Sequence, residues 1–211
     1  MMNPRPAVSR QEGTLLVADI SGYTGFLHGV ATAHHDLVAS DEPPIAYSLI
    51  SDLLDAMVAK VAPRYRLVKF EGDALFAVSD AEAPARGTEV IDCLRACHAE
   101  FRSVLADAHD ARDCSCGACL RLDRLDVKFV LHQGSWVVQR IAGGEELAGP
   151  DVIVTHRLLK NHARDVVGDR PYALVTDAAM SALEVPDTGM TGMVEVYDDL
   201  PPVPVHVLAL D

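Results

Sequence analysis

No apolar run in the 211-residue chain approaches the ~20 residues needed to cross a bilayer as a helix, so a membrane is not an expected setting. Basic residues are scarce. Eighteen Lys and Arg stand against 31 Asp and Glu, a net charge of −13, and no local basic patch interrupts the acidity. Such a field repels a nucleic-acid backbone or an anionic lipid surface, which excludes both as expected partners. The five cysteines are an odd count that fits a reducing compartment better than a disulfide framework, and a cytoplasmic location is the expectation. Met1–Gly13 has two prolines and two arginines but no apolar core, so it reads as a disordered lead-in rather than a signal peptide. No internal repeat is found. Apolar residues are plentiful: at 49% they exclude disorder over the bulk of the chain. Residues 14–211 are enough for one domain with a good core.

Leu15-Leu-Val-Ala is too short and too apolar for a surface helix, and reads as a buried strand ending at Asp19. Ser21-Gly22 breaks that run and Tyr23 opens a short helix. Ala33 to Pro44 reads as a polar loop with His34 and His35 solvated. Ile45–Ala62 is a helix stopped by Pro63. Arg66–Phe70 and Ala74–Val78 are strands around Glu71-Gly72-Asp73, a tight turn with an acid at its tip. Thr88–His109 carries Val90, Leu94, Phe101 and Leu105 on one stripe, a long amphipathic helix. Leu125–Leu131 reads as a strand, with Ser135–Ile141 its hairpin partner across Gln133-Gly134. Asp151–Ala163 and Asp177–Leu183 follow as helices, and Tyr172–Val175, Gly192–Tyr197 and Val203–Leu210 as strands. Strands and helices so mixed predict an α+β fold, with helices on one face of a mostly antiparallel sheet.

Two features carry chemistry. Asp19 and Asp73 each end or join strands beside a glycine, and together they suit a hard divalent cation carrying phosphates; either acid alone is an ordinary strand terminator. Cys114-Ser-Cys116-Gly-Ala-Cys119 lies in a polar insertion at about 110–123. Its spacing offers three thiolates to a structural Zn²⁺, with Cys93, Cys97 or His98 of the preceding helix as fourth ligand. Three free thiols and a redox switch are the alternatives, and Cys93 and Cys97 also fit the helix core. His132 reads as a structural strand residue, and the single Trp136 as core or dimer interface.

Four blocks in order, Asp19-Ile-Ser-Gly-Tyr-Thr24, Lys69-Phe-Glu-Gly-Asp73, His132-Gln-Gly134 and Gly149 to Arg157, resemble the motifs of the class III nucleotidyl (adenylyl/guanylyl) cyclase homology domain. Each block is weak alone, but the ordered set, spanning Leu15 to Arg157, is specific. His156-Arg-Leu-Leu-Lys-Asn161 and the Cys-rich loop mark the chain as resembling a divergent bacterial subgroup. The resemblance implies a ferredoxin-like βαβ core with extra strands. It also implies Mg²⁺ or Mn²⁺ held by Asp19, Asp73 and the Ile20 carbonyl, with phosphates on the amides around Gly22. Lys69 and Glu146 would read the base, a pair that selects adenine, and Arg157 would bear on the transferring phosphate. The implied substrate is a nucleoside triphosphate, ATP by the Lys/Glu pair, and the implied product cyclic AMP. A homodimer is implied as well, because in the family the metal acids come from one chain and the Lys, acid and Arg from the other. Two positions depart. Ile153 stands where the family has a ribose-orienting asparagine, and Thr191–Tyr197 lacks the lysine that grips the terminal phosphates, leaving Lys160 and His156 as candidate substitutes. A catalytically degenerate domain that binds a nucleotide or a protein partner is the second reading.

Overall fold

Leu15, Leu16, Val17 and Ala18 are all buried because their strand, β1 (Ser9–Ser21), runs through the middle of a sheet packed on both faces. The computed structural model describes residues 9–38, 46–80 and 85–211. β1 lies antiparallel between β3 (Ala74–Asp80) and β4 (Asp126–Ile141), and β2 (Arg66–Glu71) pairs with β3. Between β1 and β2 come α1 (Tyr23–Ala33), α2 (His35–Val38) and α3 (Ala46–Val61); α4 (Thr88–Ala111) joins β3 to β4. β1 is therefore parallel to β2 with β3 between them, and β3 is parallel to β4 with β1 between. These are two split βαβ units of a ferredoxin-like core. β6 (Tyr172–Thr176) adds to β4 in parallel, and β8 (Leu200–Ala209) and β7 (Thr191–Tyr197) complete an eight-stranded sheet of order β2-β3-β1-β4-β6-β8-β7. β5 (Gly144–Ala148) folds back on β4.

The pleat divides the core into two layers. Leu16, Ala18 and Ile20 face Phe26 of α1, Leu53 of α3 and Leu94 of α4. Leu15 and Val17 face the opposite way, against Phe76, Trp136 and the short helices α5 (Pro150–Arg157) and α6 (Arg164–Val167). Each fully buried leucine here contributes about 1.5–3 kcal/mol over an exposed one. The expected α+β sheet with its helical layer is present, and the two short helices close the second face. Trp136 belongs to the core, its Nε1 donating to Gln11 Oε1 at 3.0 Å. Among the described residues no helix is long and apolar enough to cross a membrane.

Several boundaries differ from expectation. Ser9–Gly13, expected in the lead-in, are the first rungs of β1, since the 16-residue β4 gives them a partner from Gly134 to Val138; residues 1–8 lie outside the described residues. Gln133-Gly134 is not a turn. β4 continues through it, and the hairpin comes at Ala142-Gly143 with β5 as partner. Gly134 serves packing: a Cβ there would sit 2.4 Å from Asp151 Cγ. The expected helix 151–163 stops at Arg157. Asn161 draws the backbone out of it, donating to the Leu158 carbonyl at 2.6 Å and accepting from Ala163 N at 2.9 Å. The polar stretch after α1 is partly helical, as α2; its residues 39–44, and Ile45, expected to open the next helix, lie outside those described.

His132 and Asp151 fix α5 to the sheet. Asp151 Oδ2 accepts from Ser135 N at 2.7 Å, Asp151 Oδ1 lies 3.4 Å from His132 Nε2, and His132 Nδ1 lies 2.9 Å from Thr176 Oγ1. The Asp151 carboxylate can only accept, which assigns a proton to His132 Nε2; in the neutral ring Nδ1 is then the acceptor and Thr176 Oγ1 donates to it, while also accepting from Ala179 N. Burial pushes the His132 pKa below its ordinary 6.5, partly offset by Asp151. The unfolded chain therefore binds the extra proton first. The stabilising contribution is complete above pH 6.5 and is lost as pH falls through the lower folded value. Unfolding free energy should decline between pH 7 and 5, with this residue adding at most ~1.4 kcal/mol per pH unit. Urea melts of the parent and His132→Gln check this: the variant should show a shallower decline, and identical slopes would contradict the assignment.

Candidate functional site

Burial along β1 relaxes at Asp19, between the buried Ala18 and Ile20. Ile20 N donates to the Asp73 carbonyl at 3.3 Å, seating the tip of the β2–β3 hairpin against the end of β1. Burial first, and the Asp19 charge second, push the Asp73 pKa above its ordinary 3.8. Asp19 has a cation already. Lys128, its register partner on β4, places Nζ 2.9 Å from Asp19 Oδ2 and donates to the Leu159 carbonyl at 3.2 Å. Sequence reasoning passed over Lys128. Its only signal was a lone lysine within the apolar run of β4, and its meaning needed the pairing of β4 with β1.

Gly22 follows with φ +88° and caps α1 without a side-chain hydrogen bond. A Cβ there would meet the Arg124 carbonyl at 3.3 Å, so both the backbone conformation and the space call for glycine. The first-turn N–H groups of α1 have no acceptor within the helix. Two carboxylates and nearby backbone carbonyls are hard oxygen donors, a set that fits Mg²⁺ or Mn²⁺.

A second cluster forms where β2 meets β5. Lys69 Nζ lies 2.7 Å from Glu146 Oε2 and 3.2 Å from Glu71 Oε1. The hydrogen bond to Glu146 is the largest influence on Lys69 and raises its pKa. His156 Nδ1 is 3.2 Å from Glu71 Oε2 but out of line, so this buried nitrogen has no hydrogen-bond partner. Its ring meets Phe76 edge-on at 4.8 Å, and burial lowers its pKa. His156 thus lies beside the Lys69 group, and Lys160 is exposed. Arg157 is exposed and, among the described residues, its guanidinium has no hydrogen-bond or ion-pair partner. Ile153, one turn earlier on α5, is 53% exposed. No hydrogen bond or ion pair among the described residues joins the Asp19–Asp73–Lys128 group to the Lys69–Glu146 group.

The thiols assemble differently from expectation. Cys114, Cys116 and Cys119 come together with His34, and their ligand atoms all lie within 4.8 Å of one another. The fourth member is not Cys97 or His98. Cys97 faces the core with its sulfur 3.9 Å from the Met57 carbonyl, Cys93 points at the Lys60 carbonyl, and His98 pairs with Asp126 at 3.0 Å. His34 is not a solvated loop histidine but the residue that closes α1, its N–H donating to Val30 O at 2.9 Å. Burial opposes ionisation of Cys116, but hydrogen bonds from the Cys119 N–H and side chain and from His34 outweigh it and bring the pKa to about 6. Burial and the neighbouring sulfurs hold Cys119 up.

The fold has close structural relatives. The crystal structure of the guanylyl cyclase Cya2 superposes with a TM-score of 0.64 at 15% identity, covering 96% of this chain and 98% of that one. That of the adenylyl cyclase CyaB from P. aeruginosa gives 0.64 at 13% identity, with 96% of each chain covered. At such identities the likeness is one of fold, and it bears out the nucleotidyl cyclase fold that the four motif blocks imply. In sequence, the uncharacterized protein Rv2561/Rv2562 of Mycobacterium tuberculosis (strain ATCC 25618 / H37Rv) is 34% identical over 137 residues, 64% of this chain. The match spans 60% of that relative's length. A family model described as "Protein of unknown function (DUF2652)" matches residues 50–166. Since that match takes in more than half of its length, the chain belongs to the DUF2652 family.

Proposed function

We propose that this chain is a nucleotidyl cyclase-like protein that binds ATP with Mg²⁺ or Mn²⁺ at the interface of a homodimer and forms cyclic AMP there. The observation that carries the proposal is the meeting of Lys69 and Glu146. They lie 77 residues apart in sequence and 2.7 Å apart in space, on a sheet with the nucleotidyl cyclase fold. Lys69 would donate to an adenine ring nitrogen and Glu146 accept from the exocyclic amine. Asp19 and Asp73 would hold the divalent ions, with the Ile20 carbonyl beside them. When bound, those ions neutralise the triphosphate and lower the pKa of the ribose 3′-hydroxyl. Lys128 ion-pairs with Asp19 at 2.9 Å and would help to position it. The α1 N–H groups beyond Gly22 would take phosphate oxygens, and the unpaired Arg157 guanidinium would bind charge on the transferring phosphoryl group.

That no hydrogen bond or ion pair among the described residues joins the two clusters is compatible with a site completed by a second copy. The Zn²⁺ expected from the sequence would belong to the thiols and not to these acids. Free thiols at all five cysteines favour a reducing compartment such as the cytoplasm. Ile153 and the absence of a lysine from β7 favour a second reading, a domain that binds the nucleotide with little turnover.

Asp73→Asn should abolish Mn²⁺-dependent binding of an ATP analogue in isothermal titration. It should leave the melting temperature unchanged or raise stability by up to ~1 kcal/mol, because a carboxylate held against burial and Asp19 is neutralised. Undiminished binding by this variant would remove the two-acid site.

Ile153→Asn separates the two readings. The side chain is 53% exposed, so the amide stays hydrated and stability should change by less than ~0.5 kcal/mol. An asparagine that orients the ribose in the transition state should raise cyclic nucleotide formation, by up to ~10²-fold. Product analysis by mass spectrometry reads the result, and a stable variant with no product from any nucleoside triphosphate favours the binding-only domain.

A further inference from the structure

We propose that His34, Cys114, Cys116 and Cys119 form a tetrahedral Zn²⁺ site that pins the far end of α1 to the Cys-rich loop. The donor set is three thiols and an imidazole, borderline-soft ligands that suit zinc and not Mg²⁺ or Mn²⁺. Geometry favours a single ion. With Zn–S near 2.3 Å, neighbouring ligand atoms of a tetrahedron stand about 3.8 Å apart. All four ligand atoms here lie within 4.8 Å of one another, with Cys114 Sγ and His34 Nε2 at 3.3 Å. Four protein ligands leave no open position, which makes the site structural.

The loop is built around the sulfurs. Cys116 N donates to Cys114 Sγ and Cys119 N to Cys116 Sγ, both at 3.4 Å. The turn between them is held by Leu120 N to Cys116 O at 3.0 Å and by Arg121 Nε to Gly117 O at 2.7 Å. Backbone N–H groups aimed at thiolates are the outer shell that orients such ligands.

The placement gives the site its consequence. α1 lies against the 114–125 segment along its length. At its start, a Cβ on Gly22 would meet the Arg124 carbonyl at 3.3 Å; in its middle, a Cβ on Gly29 would meet Ala118 Cβ at 3.0 Å. At its end His34 reaches the thiols 80 residues away. The first two contacts are packing between small groups and slide easily. Coordination supplies the one directional bond, so the ion sets where α1 ends and steadies the Gly22 turn where it begins. The step from the Gly22 turn to phosphate binding rests on the nucleotide reading above; the metal assignment does not.

Elemental analysis of the full chain, purified from zinc-supplemented cells, should give about one zinc per chain. His34→Ala and Cys116→Ser should each weaken zinc retention against a competing chelator by at least ~100-fold. Chelation of the parent, which needs no variant to fold, should speed amide exchange in the last turn of α1 and in residues 114–125. Asp73→Asn should keep its zinc while losing Mn²⁺-dependent nucleotide binding, so failure of the nucleotide reading leaves this result intact. A zinc-free parent whose three loop thiols are alkylated as fast as exposed thiols would overturn the site. Full zinc retention by His34→Ala would overturn the ligand set, and loss of zinc from Asp73→Asn would put the ion at the acids instead.

Discussion

The double-sided burial of β1 is the constraint on which the rest depends. Leu15 to Ala18 are sealed from both sides, so the strand has one register and no freedom to tilt. The residues at its end inherit that rigidity. Asp19 emerges where burial relaxes, Lys128 stands opposite it on β4, and the hairpin tip with Asp73 is hydrogen-bonded to Ile20. A half-buried carboxylate without a counter-charge would tend to take up a proton. Lys128 gives Asp19 a counter-charge, while Asp73 bears the combined effect of burial and Asp19. The core therefore holds two acids side by side in a way that a cation would relieve.

On the opposite face, the second cluster of the proposed site rests on equally local devices. Asp151 reaches β4 because residue 134 has no side chain, and His132 bridges it to Thr176. That anchorage fixes α5 and presents Ile153 and Arg157 outward. A protein of net charge −13 repels a nucleoside triphosphate at long range. Local cations must then offset the field in the proposed site: Lys128 lies at Asp19, and Lys69 and Arg157 belong to the second cluster. Among the described residues no hydrogen bond or ion pair joins the two clusters, as would hold for the shared site proposed between two copies.

Much of this was legible in the sequence, and the exceptions have identifiable causes. Strand-end acids are local signals, so Asp19 and Asp73 could be read from an apolar run meeting a glycine. Lys69 and Glu146 were readable only through the motif, because nothing local to either residue announces the other. Gly134 was misread as a turn since sequence does not distinguish a glycine needed for its backbone from one needed for the space of its absent side chain. Asn161 ended a helix by a side-chain hydrogen bond that hydrophobic spacing does not record. Lys128 and His34 were missed for a shared reason: each gains its meaning from a partner supplied by another element, β1 for the lysine and the Cys-rich loop for the histidine. Ser9–Gly13, polar and outwardly loop-like, became strand because a long β4 supplied the partner.

Anomalous diffraction from crystals grown with Mn²⁺ and a non-hydrolysable ATP analogue tests the central claim most directly. The account predicts manganese at the Asp19 and Asp73 carboxylates of one subunit and the adenine against Lys69 and Glu146 of a second. Manganese elsewhere, with the Lys128–Asp19 pair intact at saturating nucleotide, would contradict it.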